Sequence, residues 1–200
     1  MMKRHGLFEI PSNPQPCSGI TRSVLALYWK DVFLGNCVAV SERIVVSAGH
    51  HFNLKADDVG DFSVLVDDAK WLPAEYVAKN TQVDILVFWL TGAVPAFVAL
   101  RGFLPQAGCS VVTVWRSPKP PHDTIVSPGV VIESDLTGCL AKGTVSTTGT
   151  SGAPVLDFFG DHVVGLHLFS NTRDGSRVSG FLPARKMVAV LAEMGVVCRS

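Results

Sequence analysis

The sequence predicts an all-β fold made of two groups of short strands followed by one C-terminal helix. Short apolar runs recur along the chain and are separated by turns rich in glycine, aspartate and asparagine. A stretch with two prolines, residues 92–108, divides these runs into two groups, and the apolar spacing becomes helical only near the end. Many short strands at close spacing are typical of barrels or sandwiches and not of alternating β–α units.

The apolar runs predict the strands in order. They cover residues 24–29, 33–40, 43–47, 62–66 and 84–89 in the first group, and residues 110–114, 129–133, 154–156, 162–168 and 178–181 in the second. Residues 1–19, rich in proline, serine and asparagine, form an irregular arm in this prediction. The two β units then cover residues 20–91 and 109–182, with 92–108 as their link and 183–200 as helix and tail.

The predicted helix depends on four apolar residues at spacings i, i+3, i+4 and i+7. These residues are Met187, Val190, Leu191 and Met194. Such spacing places all four side chains on one face of a helix. Pro183 near the start and Gly195 at the end match the residues that commonly begin and terminate helices.

Composition excludes several classes of protein. The chain has 200 residues, of which 48% are hydrophobic, so it suits one compact unit or two small subdomains. Lysine plus arginine and aspartate plus glutamate both number 17, so nucleic acid is not indicated as a main partner. No apolar run approaches the ~20 residues of a membrane-spanning helix. The first residues lack the apolar core of a signal peptide.

The cysteine and histidine patterns predict no metal or other cofactor. The five cysteines, at positions 17, 37, 109, 139 and 198, are odd in number and match no metal-ligand spacing. The six histidines form no HExxH or similar set, which argues against a metallohydrolase. We expect each cysteine to act as a small buried hydrophobic residue.

Residues 149–155, with the sequence GTSGAPV, predict a presented nucleophile. A serine hydroxyl attacks well only where the backbone exposes it and a base removes its proton. Glycines on both sides of Ser151 permit a sharp turn and leave backbone N–H groups directed at one point. The N–H groups of Gly149 and Ser151 are therefore candidate donors of an oxyanion hole.

Two upstream motifs supply a base and a group to orient it. IVVSAGH, residues 44–50, ends an apolar run in His50, and histidine is the side chain that most often serves as general base. VDILVF, residues 83–88, embeds Asp84 in an apolar run, where a carboxylate is costly unless it is paired. Asp84 is therefore predicted to orient His50. The competing acids, Asp57, Asp58 and Asp61, lie in a polar segment.

These three motifs, in the order His50, Asp84, Ser151, resemble those of chymotrypsin-like serine proteases. The resemblance implies two six-stranded antiparallel β-barrels, a short C-terminal helix and a polypeptide substrate. Secreted trypsin-like members have an aspartate before the serine and a cysteine after the histidine, where this chain has Thr150 and His51. Activation by zymogen cleavage and an active-site disulfide are therefore not expected, which favours a reducing compartment.

Further residues are similar to the 3C-like proteases of positive-strand RNA viruses. Their pattern Thr-x-x-Gly-x-(Ser/Cys)-Gly followed by Gly-x-His is matched here with Ser146 in place of the threonine and with His167. In that family the hydroxyl and the histidine bind a Glu or Gln side chain at P1. The resemblance also implies that the segment 168–171, with Leu168 and Ser170, contacts the substrate as an added strand. Val145 stands where trypsin has its pocket aspartate, so a basic P1 residue is not expected.

The sequence thus predicts a serine endopeptidase that processes a viral polyprotein after Glu or Gln in the host cell cytoplasm. Arteriviruses, toroviruses, astroviruses and sobemoviruses all have related serine-type enzymes, and the choice among them stays open, as do Glu against Gln and the oligomeric state. Two alternatives also stay open. One is a cellular, intracellular trypsin-like protease of the HtrA type, and the other is a catalytically dead protease fold that binds RNA or a protein.

Overall fold

The computed structural model describes residues 18–51, 61–67 and 70–196. Most of the predicted arm 1–19, the end of the predicted tail, and both Asp57 and Asp58 lie outside these residues. The described chain forms two closed six-stranded antiparallel barrels and a short C-terminal helix, which confirms the predicted fold class.

Each barrel is built from six consecutive strands. The strands of the first are β1 Val24–Trp29, β2 Val32–Ala39, β3 Ile44–Ala48, β4 Phe62–Asp67, β5 Lys70–Asn80 and β6 Ile85–Leu90. The strands of the second are β7 Ser110–Arg116, β8 Thr124–Ser134, β9 Cys139–Lys142, β10 Pro154–Asp157, β11 Val163–Arg173 and β12 Ser176–Pro183. A one-turn helix, α1 (Ser18–Thr21), precedes β1, and α2 (Ala184–Glu193) follows β12.

The two barrels repeat one strand order. Around the first barrel it is β1-β2-β3-β6-β5-β4, and around the second it is β7-β8-β9-β12-β11-β10. In both, the third strand therefore pairs with the sixth, which brings the end of β3 beside the start of β6 through the pair Ala48 and Ile85. Closure leaves no unpaired sheet edge.

Strand alternation explains how one sequence fills two cores. In β6, Leu86 and Phe88 pack inside the first barrel, whereas Ile85 and Val87 belong to a different core. The core that contains Ile85 and Val87 also contains residues from the second barrel and from α2, so it joins the two barrels. A strand buried on both faces loses the apolar–polar alternation and has the continuous apolar sequence seen in β6.

Helix α2 ends as the sequence predicted. Gly195 has φ +75°, and the N–H groups of Gly195 and Val196 donate to the carbonyl oxygens of Ala192 and Leu191 at 3.0 and 2.8 Å. This pair of bonds is a Schellman motif, which glycine favours because it lacks a Cβ. Within the described residues, neither helix has the length and apolar character needed to cross a bilayer.

Strands β5 and β9 were not predicted. β5 has a single buried residue, Ala74, contains Pro73 and shifts register within each of its two pairings, so no clean alternation marks it. β9 has four residues and follows a Thr137-Gly138 turn, so it resembles a loop. Both strands are held by pairing with their neighbours in the barrel, which overrides weak local preference.

The described cysteines are free thiols in two different environments. Cys37 and Cys139 are buried, as expected of small hydrophobic residues, and burial raises the pKa of both. Cys109 is exposed, so the expectation of burial is wrong there, because it lies at the turn that leads into β7. Cys17 and Cys198 lie outside the described residues.

Candidate active site

The pairing of β3 with β6 brings His50 and Asp84 together. His50 lies in the short 3-10 turn that follows β3, and Asp84 immediately precedes β6. The Nδ1 atom of His50 lies 2.6 Å from Oδ2 of Asp84. This hydrogen bond fixes the ring so that Nε2 is the nitrogen left for a substrate or a nucleophile.

Asp84 lies in a turn and not in the predicted strand. Its φ of +58° is left-handed, a conformation that aspartate tolerates better than most residues, and its carbonyl accepts from Gly49 N–H at 2.7 Å. A Cβ on Gly49 would lie 2.8 Å from Oδ1 of Asp84, so glycine is needed before His50. Of the competing acids, Asp61 instead faces Nζ of Lys30 at 3.7 Å.

Thr150 holds the turn that presents Ser151. Its hydroxyl donates to the Thr147 carbonyl and accepts from the Thr147 N–H, both at 2.9 Å, while its own N–H bonds the same carbonyl at 3.1 Å. The Thr150 side chain is almost fully buried, so these bonds satisfy a polar group that water does not reach. Threonine at this position thus supports the loop locally.

The N–H groups of Gly149 and Ser151 are unused in the described structure. No described acceptor takes a hydrogen bond from either of them. Gly149 has φ +93°, and its Cα packs against the ring of Phe33 from the first barrel. Two free backbone donors on one tight turn are the arrangement that stabilises an oxyanion.

The hydroxyl of Ser151 donates to the Leu168 carbonyl at 2.9 Å, and among the described residues it makes no hydrogen bond to His50. Leu168 is the extra residue of a bulge, because His167 pairs with Phe181 and Phe169 with Gly180. A bulged residue leaves its backbone groups outside the ladder. The hydroxyl must therefore leave the Leu168 carbonyl before it can donate to His50.

A cleft of about 610 Å³ opens beside Ser151. Its lining is dominated by hydroxyl groups: Ser146, Thr147, Thr148, Ser151, His167, Ser170, Asn171, Thr172 and Arg177. The hydroxyls of Ser146 and Ser170 hydrogen-bond each other, and Ser170 continues to Ser179 at 3.3 Å. The predicted substrate residues Ser146, His167 and Ser170 thus lie in one cleft next to Ser151.

His167 is a neutral, buried member of this cleft. It is 2% exposed, and burial lowers the pKa of His167 to about 4, with the charge of His50 acting in the same direction. Its Nδ1 atom is buried without a hydrogen-bond partner in the described structure. An unpaired acceptor is less costly than an unpaired N–H, so we assign the proton to Nε2.

Arg177 is a cleft residue that the sequence analysis did not single out. Its Nη1 donates to the Ser146 carbonyl at 3.2 Å. Among the described residues that line the cleft, Arg177 alone carries a formal charge. It comes from β12, opposite Thr172 of β11. No local motif marks it, because its place depends on a strand pairing.

Two more residues reach the serine loop from the first barrel. Asn36 donates through Nδ2 to the Gly149 carbonyl at 2.8 Å, and Nε2 of His51 lies 3.1 Å from the Ser151 carbonyl. The sequence analysis gave neither residue a role in the site. In the described part of the chain, no group of three or more histidine, cysteine or acidic side chains has an arrangement that could hold a metal ion.

Comparison with known proteins finds relatives by structure and not by sequence. No protein-family model and no curated protein sequence matches the chain. The structure is similar to the active form of the Rv3671c protease from M. tuberculosis, with a TM-score of 0.72 and 17% identity over 98% of this chain and 95% of that one. It is also similar to the MamO protease domain from Magnetospirillum magneticum, with a TM-score of 0.70 and 16% identity over 87% and 98%.

These likenesses establish the fold. Both neighbours are chymotrypsin-like in architecture, with coverage that spans both barrels of this chain. A fold shared at 16–17% identity does not carry over the roles of single residues.

Proposed function

We propose that the chain is a serine endopeptidase in which Ser151 is the nucleophile, His50 the general base and Asp84 the residue that orients His50. The observation that carries the proposal is the 2.6 Å His50–Asp84 hydrogen bond, formed beside a serine turn with two unused N–H groups. A base, an orienting carboxylate and an oxyanion hole are the three parts that serine catalysis requires.

The proposed reaction begins when substrate binds along β11. An extended substrate backbone offers an N–H to the Leu168 carbonyl, which displaces the Ser151 hydroxyl from that acceptor. The Ser151 oxygen then attacks the scissile carbonyl carbon while its proton passes to Nε2 of His50. His50 returns this proton to the leaving amine, and an acyl-enzyme remains on Ser151.

Deacylation uses the same groups. His50 takes a proton from water as that water attacks the acyl carbon, and the proton returns to Ser151 as the acid product leaves. In both halves the carbonyl oxygen becomes negative and receives hydrogen bonds from Gly149 and Ser151 N–H. Removing one such donor typically costs about 2.7–4 kcal/mol of transition-state stabilisation.

The proposed P1 residue is Glu or Gln, and the cleft favours Glu. The neutral Nε2–H of His167 can donate to either a carboxylate or an amide oxygen, and so can whichever of the Ser146 and Ser170 hydroxyls does not donate in their mutual bond. The guanidinium of Arg177 adds a positive charge that attracts a carboxylate more strongly than an amide. A cleft built from polar groups also rejects aliphatic side chains, which leave those groups unpaired.

The biological role that we propose is processing of a viral polyprotein in the host cell cytoplasm. Its support is the similarity of the motif around Ser146, Ser151 and His167 to the viral 3C-like pattern, together with the polar cleft that these residues line. The HtrA-type alternative predicts cleavage after small aliphatic residues, so the P1 profile separates the two roles.

A P1 series tests the substrate proposal. Peptides that differ only in Glu, Gln, Lys or Ala at P1 are compared by kcat/KM with the wild-type chain and with Arg177→Gln. We expect the wild-type chain to cleave the Glu and Gln peptides. In Arg177→Gln, kcat/KM for the Glu peptide falls about 10-fold because a charge-assisted bond is lost, whereas kcat/KM for the Gln peptide changes little. Arg185→Gln is the matched control, because Arg185 is an exposed residue of α2.

One outcome would contradict the substrate proposal, and another would contradict the role given to Arg177. Equal or better cleavage after Lys or Ala would exclude the polar cleft as the P1 pocket. An unchanged ratio of Glu to Gln turnover in Arg177→Gln would exclude Arg177 from specificity and leave the neutral donors as the determinants.

A further inference from the structure

Backbone carbonyls of the serine loop are bonded to the first barrel, although the loop belongs to the second. Three donors reach across: Nδ2 of Asn36 to the Gly149 carbonyl at 2.8 Å, N–H of Asn36 to the Ser151 carbonyl at 2.9 Å, and Nε2 of His51 to the same carbonyl at 3.1 Å. The two carbonyls belong to the two residues whose N–H groups form the proposed oxyanion hole.

Asn36 is fully buried, and its side-chain amide is fully used. Its Oδ1 accepts from Arg116 N–H at 2.7 Å, and its Nδ2 donates to the Arg116 carbonyl at 3.3 Å as well as to Gly149. Arg116 ends β7 of the second barrel. The amide is therefore fixed in one orientation by a rigid strand, so it can hold the Gly149 carbonyl in one place.

His51 reaches the loop through a gap left by a glycine. A Cβ on Gly35 would overlap the His51 ring, so only glycine at that position lets Nε2 approach the Ser151 carbonyl. Burial lowers the pKa of His51, opposed in part by the bond to Ser151, and this keeps the ring neutral near pH 7. A carbonyl accepts and does not donate, so the neutral ring must carry its proton on Nε2.

Holding a carbonyl restrains the N–H of the same residue. The two groups are separated only by the φ and ψ angles of one Cα, since each peptide unit is planar. Gly149 has no side chain to restrict these angles, so many backbone conformations other than the observed one, with φ of +93°, are open to it. Without an anchor on its carbonyl, its N–H can rotate away from the oxyanion.

We propose that Asn36 and His51 are positioning residues that keep the oxyanion hole formed by fastening the carbonyls of Gly149 and Ser151 to the first barrel. This inference rests on the proposed function, because it assigns a purpose to the N–H groups of those two residues. The first barrel then provides the contacts that hold the oxyanion hole in place, in addition to the general base.

The test separates positioning from mere stability by comparing substrate turnover with binding of a transition-state mimic. The variants are Asn36→Ala, His51→Leu and His51→Gln, the last of which retains an N–H donor. A peptide aldehyde forms a tetrahedral adduct that uses the oxyanion hole, whereas the acid product of cleavage does not require it. The aldehyde and the product carry the P1 residue that the wild-type chain cleaves fastest.

We expect Asn36→Ala and His51→Leu to lower kcat by about 10- to 100-fold with KM within about twofold, as small misplacements of catalytic groups do. Aldehyde affinity falls in parallel with kcat, while product affinity does not change. His51→Gln recovers most of the loss. Ser23→Ala is the control, since Ser23 is fully buried in the first barrel and bonds the Ile20 carbonyl, away from the loop.

Three results would overturn the inference. The first is wild-type kcat in both Asn36→Ala and His51→Leu. The second is an equal loss of aldehyde and product affinity, which would mark a general loosening of the site. The third is a similar loss in Ser23→Ala. A wild-type chain that neither cleaves peptides nor binds the aldehyde would overturn the proposed function itself, and the inference with it.

Discussion

At the scale of single residues, the proposed recognition of P1 is divided between two cleft side chains. His167 is buried and neutral, so it contributes a directed hydrogen-bond donor without a charge. Arg177 is exposed at the cleft and contributes the charge. Such a division lets the buried part of the pocket stay uncharged, which avoids the cost of an unpaired ion in the interior.

The lowered pKa of His167 predicts that the free energy of unfolding depends on pH. The folded chain holds this group with a pKa of about 4, below the value of about 6.5 expected in the unfolded chain. The unfolded state therefore binds more protons between these values, so the free energy of unfolding rises with pH from about 4 to 6.5. One proton corresponds to a slope of at most about 1.4 kcal/mol per pH unit.

Urea unfolding at several pH values checks this prediction against His167→Gln, which cannot gain a proton in that range. We expect a shallower rise of the unfolding free energy in the variant than in the wild type between pH 4 and 6.5. The pKa of His51 is lowered as well, so part of the slope remains in both proteins. Equal slopes would show that His167 does not stay neutral in the folded chain.

At the scale of elements, the serine loop depends on the close approach of two backbones. Gly152 has φ +81°, and a Cβ there would overlap the Asn36 carbonyl, a backbone atom that cannot move aside cheaply. Gly152 also donates its N–H to the His167 carbonyl at 2.8 Å. Gly152 thus joins the loop to β11 on one side and to β2 on the other.

Gly152→Ala tests this packing, with Gly175→Ala as its matched control. Both glycines have left-handed φ, but a Cβ on Gly175 would meet nothing within 4 Å. The control isolates the conformational cost, which is about 1–2 kcal/mol. We expect Gly152→Ala to lower the free energy of unfolding by clearly more than that, measured by urea denaturation. A loss no larger than that of Gly175→Ala would contradict the close approach.

Elements differed in how far the sequence could predict them. Ten strands and α2 were predicted to within a few residues, apart from longer ends in β8 and β11, because apolar runs and turn residues mark them. β5 and β9 were missed because their pairing partners, and not their own residues, make them strands. Asp84 was placed in a strand, since the apolar run hides a left-handed turn at its first residue.

At the scale of the whole molecule, the candidate site is divided between the barrels. His50 and Asp84 come from the first barrel, and Ser151 with its cleft comes from the second. One apolar core holds residues of both barrels and α2, so the same packing that stabilises the molecule sets the distance between the proposed base and the proposed nucleophile. The bonds from Asn36 and His51 act at this boundary.

This division also limits what the sequence reveals about the site. His50, Asp84 and Ser151 were predicted because each lies in a local motif with its own chemical logic. Asn36 and Arg177 lie in no such motif, and their contacts span 113 and 31 residues. Residues that act only through tertiary contacts leave no motif in the local sequence, so they can be recognised only in the folded structure.

Covalent labelling of Ser151 shows directly whether this side chain is an activated nucleophile. The wild-type chain, Ser151→Ala and His50→Ala are incubated with a fluorophosphonate, and the modified residue is located by mass spectrometry. We expect one adduct on Ser151 in the wild type, none in Ser151→Ala and far slower labelling in His50→Ala, because the base that activates the hydroxyl is lost. A wild-type chain without an adduct, or one labelled equally in all three proteins, would contradict the proposed role of Ser151.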